Sequence, residues 1–168
     1  IIWSKPNPMP ESVTDRPTKS HEYLFLLSKS ATYFYDAEAI KEPSDSVITK
    51  FPDGWDTGDG AHGSFHRKGR EAGQAVDAYS PGKRNRRTVW EIATAPFPGA
   101  HFATFPPALV KPCILAGSAE GDSVLDPFSG AGTVPMVAQD LGRAGIGIEL
   151  RREYVEMART RTAQRALL

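Results

Sequence analysis

The chain has 168 residues, 20 basic side chains balanced by 20 acidic ones, 40% apolar residues and one cysteine. Cys113 has no partner within the chain, which excludes a disulfide scaffold, and a domain of this length can bury roughly 70% of its unfolded surface without covalent help. No apolar run approaches the roughly 18 residues of a membrane helix, and zero net charge argues against nonspecific coating of nucleic acid while leaving room for a local basic patch.

In chain order, Ile1-Ile2-Trp3 is a short strand signal that breaks at Pro6, Pro8 and Pro10, and residues 4–20 read as an irregular polar loop. Residues 21–29, with Tyr23, Leu24, Phe25, Leu26 and Leu27 in one run, are too apolar for a half-exposed strand and too few for a helix; a buried strand is expected. The stretch 53–83 holds seven of the 15 glycines and has neither helical nor strand periodicity, which predicts a long loop-rich insertion. Order returns in 88–168. Leu109, Val110, Cys113 and Ile114 have helical spacing over residues 106–117, interrupted by Pro112 and stopped at Gly117, and Cys113 on that face is expected to be a small core residue. Ser123–Asp126 is a strand, and residues 133–141 put Val134, Val137, Ala138 and Leu141 on one helical face with Gly142 just past the end. Residues 144–150 form another strand, and a closing helix runs from Arg152 to about Ala166. Trp3 and Trp90 fall in ordered segments and are expected to be packed. Strand, helix, strand, helix with short links is a parallel right-handed α/β unit.

Between the strand ending at Asp126 and the helix starting near Thr133 lies Asp126-Pro127-Phe128-Ser129-Gly130-Ala131-Gly132-Thr133. Two glycines let the backbone turn tightly and approach a ligand that a Cβ would keep away. The turn stands at the carboxyl end of a strand, where open α/β sheets bind their ligands. The next strand runs into Glu149, nineteen residues beyond Gly130, and a carboxylate there can accept both hydroxyls of a ribose. Pro135 replaces the third glycine of a dinucleotide fingerprint; it suits a first helical turn but not close helix–strand packing around a pyrophosphate. No Lys-Ser/Thr pair follows for a phosphate loop. A ligand with a ribose and no phosphates remains, and S-adenosylmethionine fits that description; the bland reading is a tight turn without a ligand.

The run Asp126-Pro127-Phe128-x-Gly130-x-Gly132-Thr133 resembles the cofactor motif of the amino-group DNA methyltransferases, which methylate adenine N6 or cytosine N4. The resemblance extends to Gly142-Arg143, to Gly145-Ile146-Gly147-Ile148-Glu149-Leu150 and to Glu153-Tyr154. Trp90-Glu91-Ile92 with His101-Phe102-Ala103-Thr104-Phe105-Pro106 resembles the segment that folds over the cofactor's methionine end, and residues 1–6 and 21–25 resemble the last two strands of the family's sheet. What this implies is an α/β, Rossmann-like S-adenosylmethionine-dependent methyltransferase fold with a partial sheet and a loop-rich target-recognition insertion. Asp126, Pro127, Phe128, Gly130, Gly132, Thr133, Glu149 and Phe105 are by the same resemblance the S-adenosylmethionine-binding residues. The order of regions is similar to that of the permuted bacterial or phage subclass often called the β class. Residues 1–40 would then be the end of the catalytic half, 41–88 the target-recognition insertion and 89–168 the cofactor-binding half.

An exocyclic amino nitrogen is a poor nucleophile, because its lone pair is conjugated into the ring, so the base must be flipped out and its amino hydrogens drawn toward acceptors. The family does this with Asp, Asn or Ser before Pro-Pro-Tyr. The one Pro-Pro here, Pro106-Pro107, stands between Phe105 and Ala108, so no catalytic residue is assigned. In the family's sheet order, 3-2-1-4-5-7-6, residues 123–126 would be strand 1, 144–150 strand 2, 1–4 strand 6 and 21–28 strand 7. Strands 3, 4 and 5 are then missing. The start at Ile1 agrees with a chain that is the carboxyl-terminal part of a longer enzyme, incompletely folded and inactive alone, with the missing N-terminal half as its partner. The alternative is a noncatalytic remnant or regulatory module that holds S-adenosylmethionine or DNA.

Residues 62–88 carry Arg67, Lys68, Arg70, Lys83, Arg84, Arg86 and Arg87 against Glu71 and Asp77. In a glycine-rich insertion this suits phosphate contacts and base reading on double-stranded DNA, with Arg67, Lys68, Arg70, Arg84, Arg86 and Arg87 as the expected contacts and Trp55 available to stack. A solvated loop is the bland reading. His62 and His66 lack a supporting cysteine or carboxylate cluster, so no metal site is expected. A cognate restriction endonuclease system, a cytoplasmic setting and no membrane partner complete the expectation.

Overall fold

The structure is a computed structural model and describes residues 1–44, 82–95 and 104–163. Along the chain come strands β1 (Ile2–Ser4), β2 (His21–Tyr23), β3 (Glu42–Pro43), β4 (Lys83–Arg84) and β5 (Val89–Glu91). They are followed by α1 (Pro107–Gly117), β6 (Ser123–Asp126), α2 (Thr133–Asp140), β7 (Ala144–Gly147) and α3 (Arg152–Ala163). Two compact units divide the chain, residues 1–40 with 86–168 and residues 41–85.

In the larger unit β1 is the middle strand of three, antiparallel to β2 and parallel to β5. Trp3 and Trp90 are register partners across β1 and β5, and both are buried beneath Leu109 of α1. A buried indole needs an acceptor for its N–H. Trp3 Nε1 donates to the Ile92 carbonyl and Trp90 Nε1 to the Arg87 carbonyl, each at 2.7 Å. Strand β5 is unannounced in the sequence, since three residues carry no readable alternation and its partner lies far away in the chain. The expected buried strand over 21–28 is corrected: β2 stops at Tyr23, and Phe25 and Leu27 are 80% and 86% exposed. A strand persists only while a partner runs beside it. β1 reaches its limit where Leu24 N–H donates to the Ile1 carbonyl.

Strands β6 and β7 pair in parallel, from Ser123 opposite Ala144 to Asp126 opposite Gly147, with α2 as the crossover. Helix α2 buries Met136, Val137 and Ala138 against Val110 and Ile114 of α1. Because Leu109 packs on the tryptophans while Val110 and Ile114 pack on α2, α1 fastens the two sheets together. It starts on Pro106 and Pro107, where no N–H is required, and continues through a buried Pro112, which forgoes one bond to the Ala108 carbonyl. Cys113 is not a core residue: it is exposed, with its Sγ donating to the Leu109 carbonyl at 3.3 Å. Helical spacing named its face correctly, but the side chain is only partly shielded there, without the full cover of a core residue.

The reading of Pro135 as unsuited to close packing is also corrected. A Cβ on Gly145 would lie 2.6 Å from Pro135 Cα and 2.5 Å from its carbonyl oxygen, and one on Gly147 would lie 3.1 Å from Pro135 Cγ. The closeness comes from glycines on the strand, not on the helix. Val124 shares the covered face, whereas Leu125, Ile146 and Ile148 stay 58%, 49% and 52% exposed. Arg143 closes the far end of the layer: Nη2 donates to the Ser118 carbonyl at 2.8 Å and Nη1 to the Leu141 carbonyl.

The smaller unit shows an antiparallel ladder of β3 and β4, with Glu42 opposite Arg84 and Pro43 opposite Lys83. Arg84 Nε donates to Glu42 Oε1 at 2.8 Å.

Candidate functional site

The eight residues from Asp126 to Thr133 cross from the end of β6 to the start of α2. Asp126 Oδ1 accepts the Phe128 N–H at 3.0 Å and starts the bend. Ser129 N–H donates to the Ile148 carbonyl at 2.9 Å, which pins the turn across the end of β7. Gly130 and Gly132 have φ of +51° and +78°, the left-handed region that side chains with a Cβ rarely adopt. Gly132 is the N-cap of α2 and brings no side-chain acceptor, so the first turn of the helix depends on backbone and tertiary contacts.

Glu149 lies two residues past β7 and reaches back into this turn. Its Oε2 accepts the Gly130 N–H at 2.9 Å and its Oε1 the Arg151 N–H at 2.8 Å. The nineteen-residue spacing read in the sequence therefore brings the carboxylate directly onto the first glycine. Phe128, 89% exposed, offers an apolar ring at the same turn. Asp126, Pro127, Phe128, Gly130, Gly132, Thr133 and Glu149 are thus brought together.

Phe105 stands elsewhere, in the wall of an apolar groove of about 570 Å³. The groove runs over α1 between β2 and β6, with Tyr23, Leu24, Leu109, Val124 and Leu125 among its walls. Cys113 also faces it; burial among these side chains raises the thiol pKa, and the Arg86 guanidinium works weakly the other way. Among the described residues, β2 and β6 each have a strand on one side only, and these are the strands that flank the groove. Another hollow of about 610 Å³, under the loop from Pro10 to Lys19, has walls of proline and scattered charges that converge on no common point.

Arg67, Lys68 and Arg70, together with Trp55, His62, His66 and His101, lie outside the described residues. Arg84 is held by Glu42. Arg86 lies with its guanidinium carbon 4.6 Å from the Trp90 ring centre, its Nε buried without a hydrogen-bond partner among the described residues. Arg87 is exposed and lends its carbonyl to Trp90. Sequence reasoning missed Arg161 of α3. Its Nη1 donates to the Ala131 carbonyl at 2.7 Å inside the turn, and burial lowers its guanidinium pKa. No local pattern marks it, because the contact joins residues thirty apart.

Residues 1–160 match the family described as DNA methylase, of the N6/N4 type. The type II methyltransferase M.Cfr9I of Citrobacter freundii is 49% identical over 158 residues, covering 94% of this chain and 41% of the relative. M.SmaI of Serratia marcescens is 47% identical over 166 residues, covering 98% and 46%. The chain therefore spans less than half the length of these curated relatives. Among solved structures, the M1.HpyAVI–SAM complex superposes with a TM-score of 0.59 at 23% identity, over 96% of this chain and 59% of that one.

Proposed function

This chain belongs to the N6/N4 DNA methylase family, and from that membership we propose that it is the carboxyl-terminal portion of a DNA methyltransferase that moves a methyl group from S-adenosylmethionine to an exocyclic amino group, adenine N6 or cytosine N4, within a specific DNA sequence. The observation that carries the reading is the bond from Gly130 N–H to Glu149. It brings a carboxylate to a glycine turn, where ribose hydroxyls can share it while Phe128 covers an apolar part of the ligand. The residues fit a nucleoside with no phosphates, since the turn is not followed by the Lys-Ser/Thr pair of a phosphate loop. When bound, S-adenosylmethionine supplies an electrophilic methyl group on a sulfonium sulfur. This chain's part is to hold and orient that group.

The acceptors that draw protons from the target amine belong, in this proposal, to a further N-terminal half. Three observations support it: relatives more than twice as long, the absence of an Asp/Asn/Ser-Pro-Pro-Tyr sequence here, and the apolar groove between two strands that each lack a second neighbour. Exposed strand edges beside exposed Leu125, Ile146 and Ile148 are what soluble proteins avoid. Strands of that half, seated between β2 and β6, would cover both. The chain alone is then inactive. The basic insertion, with Arg67, Lys68, Arg70, Arg84, Arg86 and Arg87, is proposed to contact double-stranded DNA. A partner restriction endonuclease is proposed from the type II names of the relatives, and the setting is the cytoplasm, where bacterial DNA lies.

Calorimetry with S-adenosylhomocysteine on the complete polypeptide tests the cofactor reading. Gly130→Val and Glu149→Ala should each weaken binding strongly, the second by about tenfold or more through lost charge-assisted bonds. Unchanged affinity in both variants would sink it. Normal binding with no methyl transfer by the complete polypeptide would instead select the noncatalytic module.

A further inference from the structure

We propose that Arg161 is a positioning residue for the glycine turn, which it and Ala158 hold from behind in the shape that receives the ligand. The inference rests on the cofactor reading above and deepens it. A turn built on two left-handed glycines has little rigidity of its own, since glycine is the residue with the most conformations to lose. Beyond the local bond from Phe128 N–H to Asp126, two of its backbone groups are nevertheless tied down by side chains from other elements. Glu149 takes the Gly130 N–H from the end of β7. Arg161 donates Nη1 to the Ala131 carbonyl at 2.7 Å and approaches Thr133 Oγ1 at 3.4 Å, while its Nη2 lies 3.4 Å from Met136 Sδ. One planar guanidinium thus touches the turn, the first residue of α2 and a methionine of the core, so displacement of the turn would break all three contacts together.

Helix α3 adds a steric stop. A Cβ on Gly132 would lie 2.7 Å from Ala158 Cβ and 3.1 Å from Ala158 Cα, so α3 passes the turn at backbone distance. Residues 158 and 161 are three apart and share one helical face. A cation near the N-terminus of a helix is unfavourable to the helix dipole, so charge alone gives no reason for Arg161 to be there. The bond to the Ala131 carbonyl does, because Pro135, four residues on, has no N–H to give that oxygen.

The test uses the complete polypeptide and four variants, Arg161→Lys, Arg161→Gln, Ala158→Val and Glu149→Ala. Calorimetry reads S-adenosylhomocysteine affinity, and steady-state kinetics read KM for S-adenosylmethionine, KM for DNA and kcat. Arg161→Gln should weaken binding by about tenfold and raise the cofactor KM to match, with the DNA KM and kcat little changed. Arg161→Lys, which keeps one donor, should recover part of the loss. Ala158→Val should reproduce the loss by pushing Gly132 from the same side. Wild-type affinity in Arg161→Gln while Glu149→Ala loses binding would overturn the proposal and leave the cofactor reading standing. If Glu149→Ala binds normally as well, the site itself has been misread. A parallel fall of every kinetic constant with the melting temperature, without rescue by lysine, would reduce Arg161 to a general stability role and overturn the proposal too.

Discussion

The glycine turn and the sheet of β2, β1 and β5 lie in the same compact unit and are both made of short, individually weak pieces, yet they differ in how their groups are satisfied. At the turn, Asp126, Glu149 and Arg161 each engage a backbone group, and α2 lies close against β7. In the sheet the two tryptophans are sealed, but Tyr23 at its edge and Phe25, Leu26 and Leu27 just beyond are 59%, 80%, 56% and 86% exposed. Unpaired polar groups are costly wherever water is scarce, so the backbone groups of a tight turn have to be completed by its own chain. Exposed apolar groups carry a smaller cost each and can wait for a partner surface. The difference separates what this stretch of polypeptide builds alone from what it would present to the proposed N-terminal half.

The comparison is broken most severely at the helix–strand contact. Gly145→Val would drive a branched side chain into Pro135 backbone atoms that cannot swing away, and we expect a loss of about 4 kcal/mol in the complete polypeptide. Denaturant unfolding should show a lower midpoint at an unchanged slope. A loss under about 1 kcal/mol would mean that α2 stands farther from β7 than described.

Leu125→Ala tests the other side of the contrast. If the groove wall is covered in the complete enzyme, truncation should cost about 2 to 3 kcal/mol there. The same substitution in the 168-residue chain alone should change stability by less than about 0.5 kcal/mol. Equal effects in both would show that nothing seats against β6.

A third variant should leave both regions alone. Replacing Arg67, Lys68 and Arg70 together by alanine should weaken DNA binding and lower the log-log salt slope by about 0.9 for each phosphate contact removed, with cofactor affinity unmoved. Arg84 and Arg86 are better spared, since Glu42 and Trp90 already engage them and their loss would mix folding with binding. A wild-type slope would place DNA recognition elsewhere.

The smallest effect concerns Cys113. Its thiol pKa is raised chiefly by burial, so the folded state holds a proton that the unfolded state releases sooner. The stability this contributes is full below the ordinary thiol range and is lost as pH rises toward the raised value. Cys113→Ser should flatten that alkaline limb of a melting-temperature profile, and alkylation of the wild type should reach half its maximal rate above the pH of a free thiol. If the proposed N-terminal half covers the groove, alkylation should be slower still in the complete polypeptide.

The β6–α2–β7 unit was legible because its information is local. Helical spacing in 133–141, the short strands at Ser123–Asp126 and from Ala144, and glycines bracketing a bend all follow from rules that act over a few residues. The nineteen-residue step from Gly130 to Glu149 was readable for a related reason: a strand–turn–helix–strand unit has nearly fixed length, so its end returns beside its beginning. Tertiary structure alone decided the rest. Val89–Glu91 became a strand because β1 offered an edge to it, Phe25 and Leu27 stayed exposed because no partner ran beside them, and Cys113 was left on a helix face covered only in part. Pro135 could lie against β7 because Gly145 and Gly147 had made room, and Arg161 reached a carbonyl thirty residues back. Each of these depends on which surfaces meet across long chain separations, and side-chain periodicity specifies the face that is apolar without specifying the neighbour that covers it.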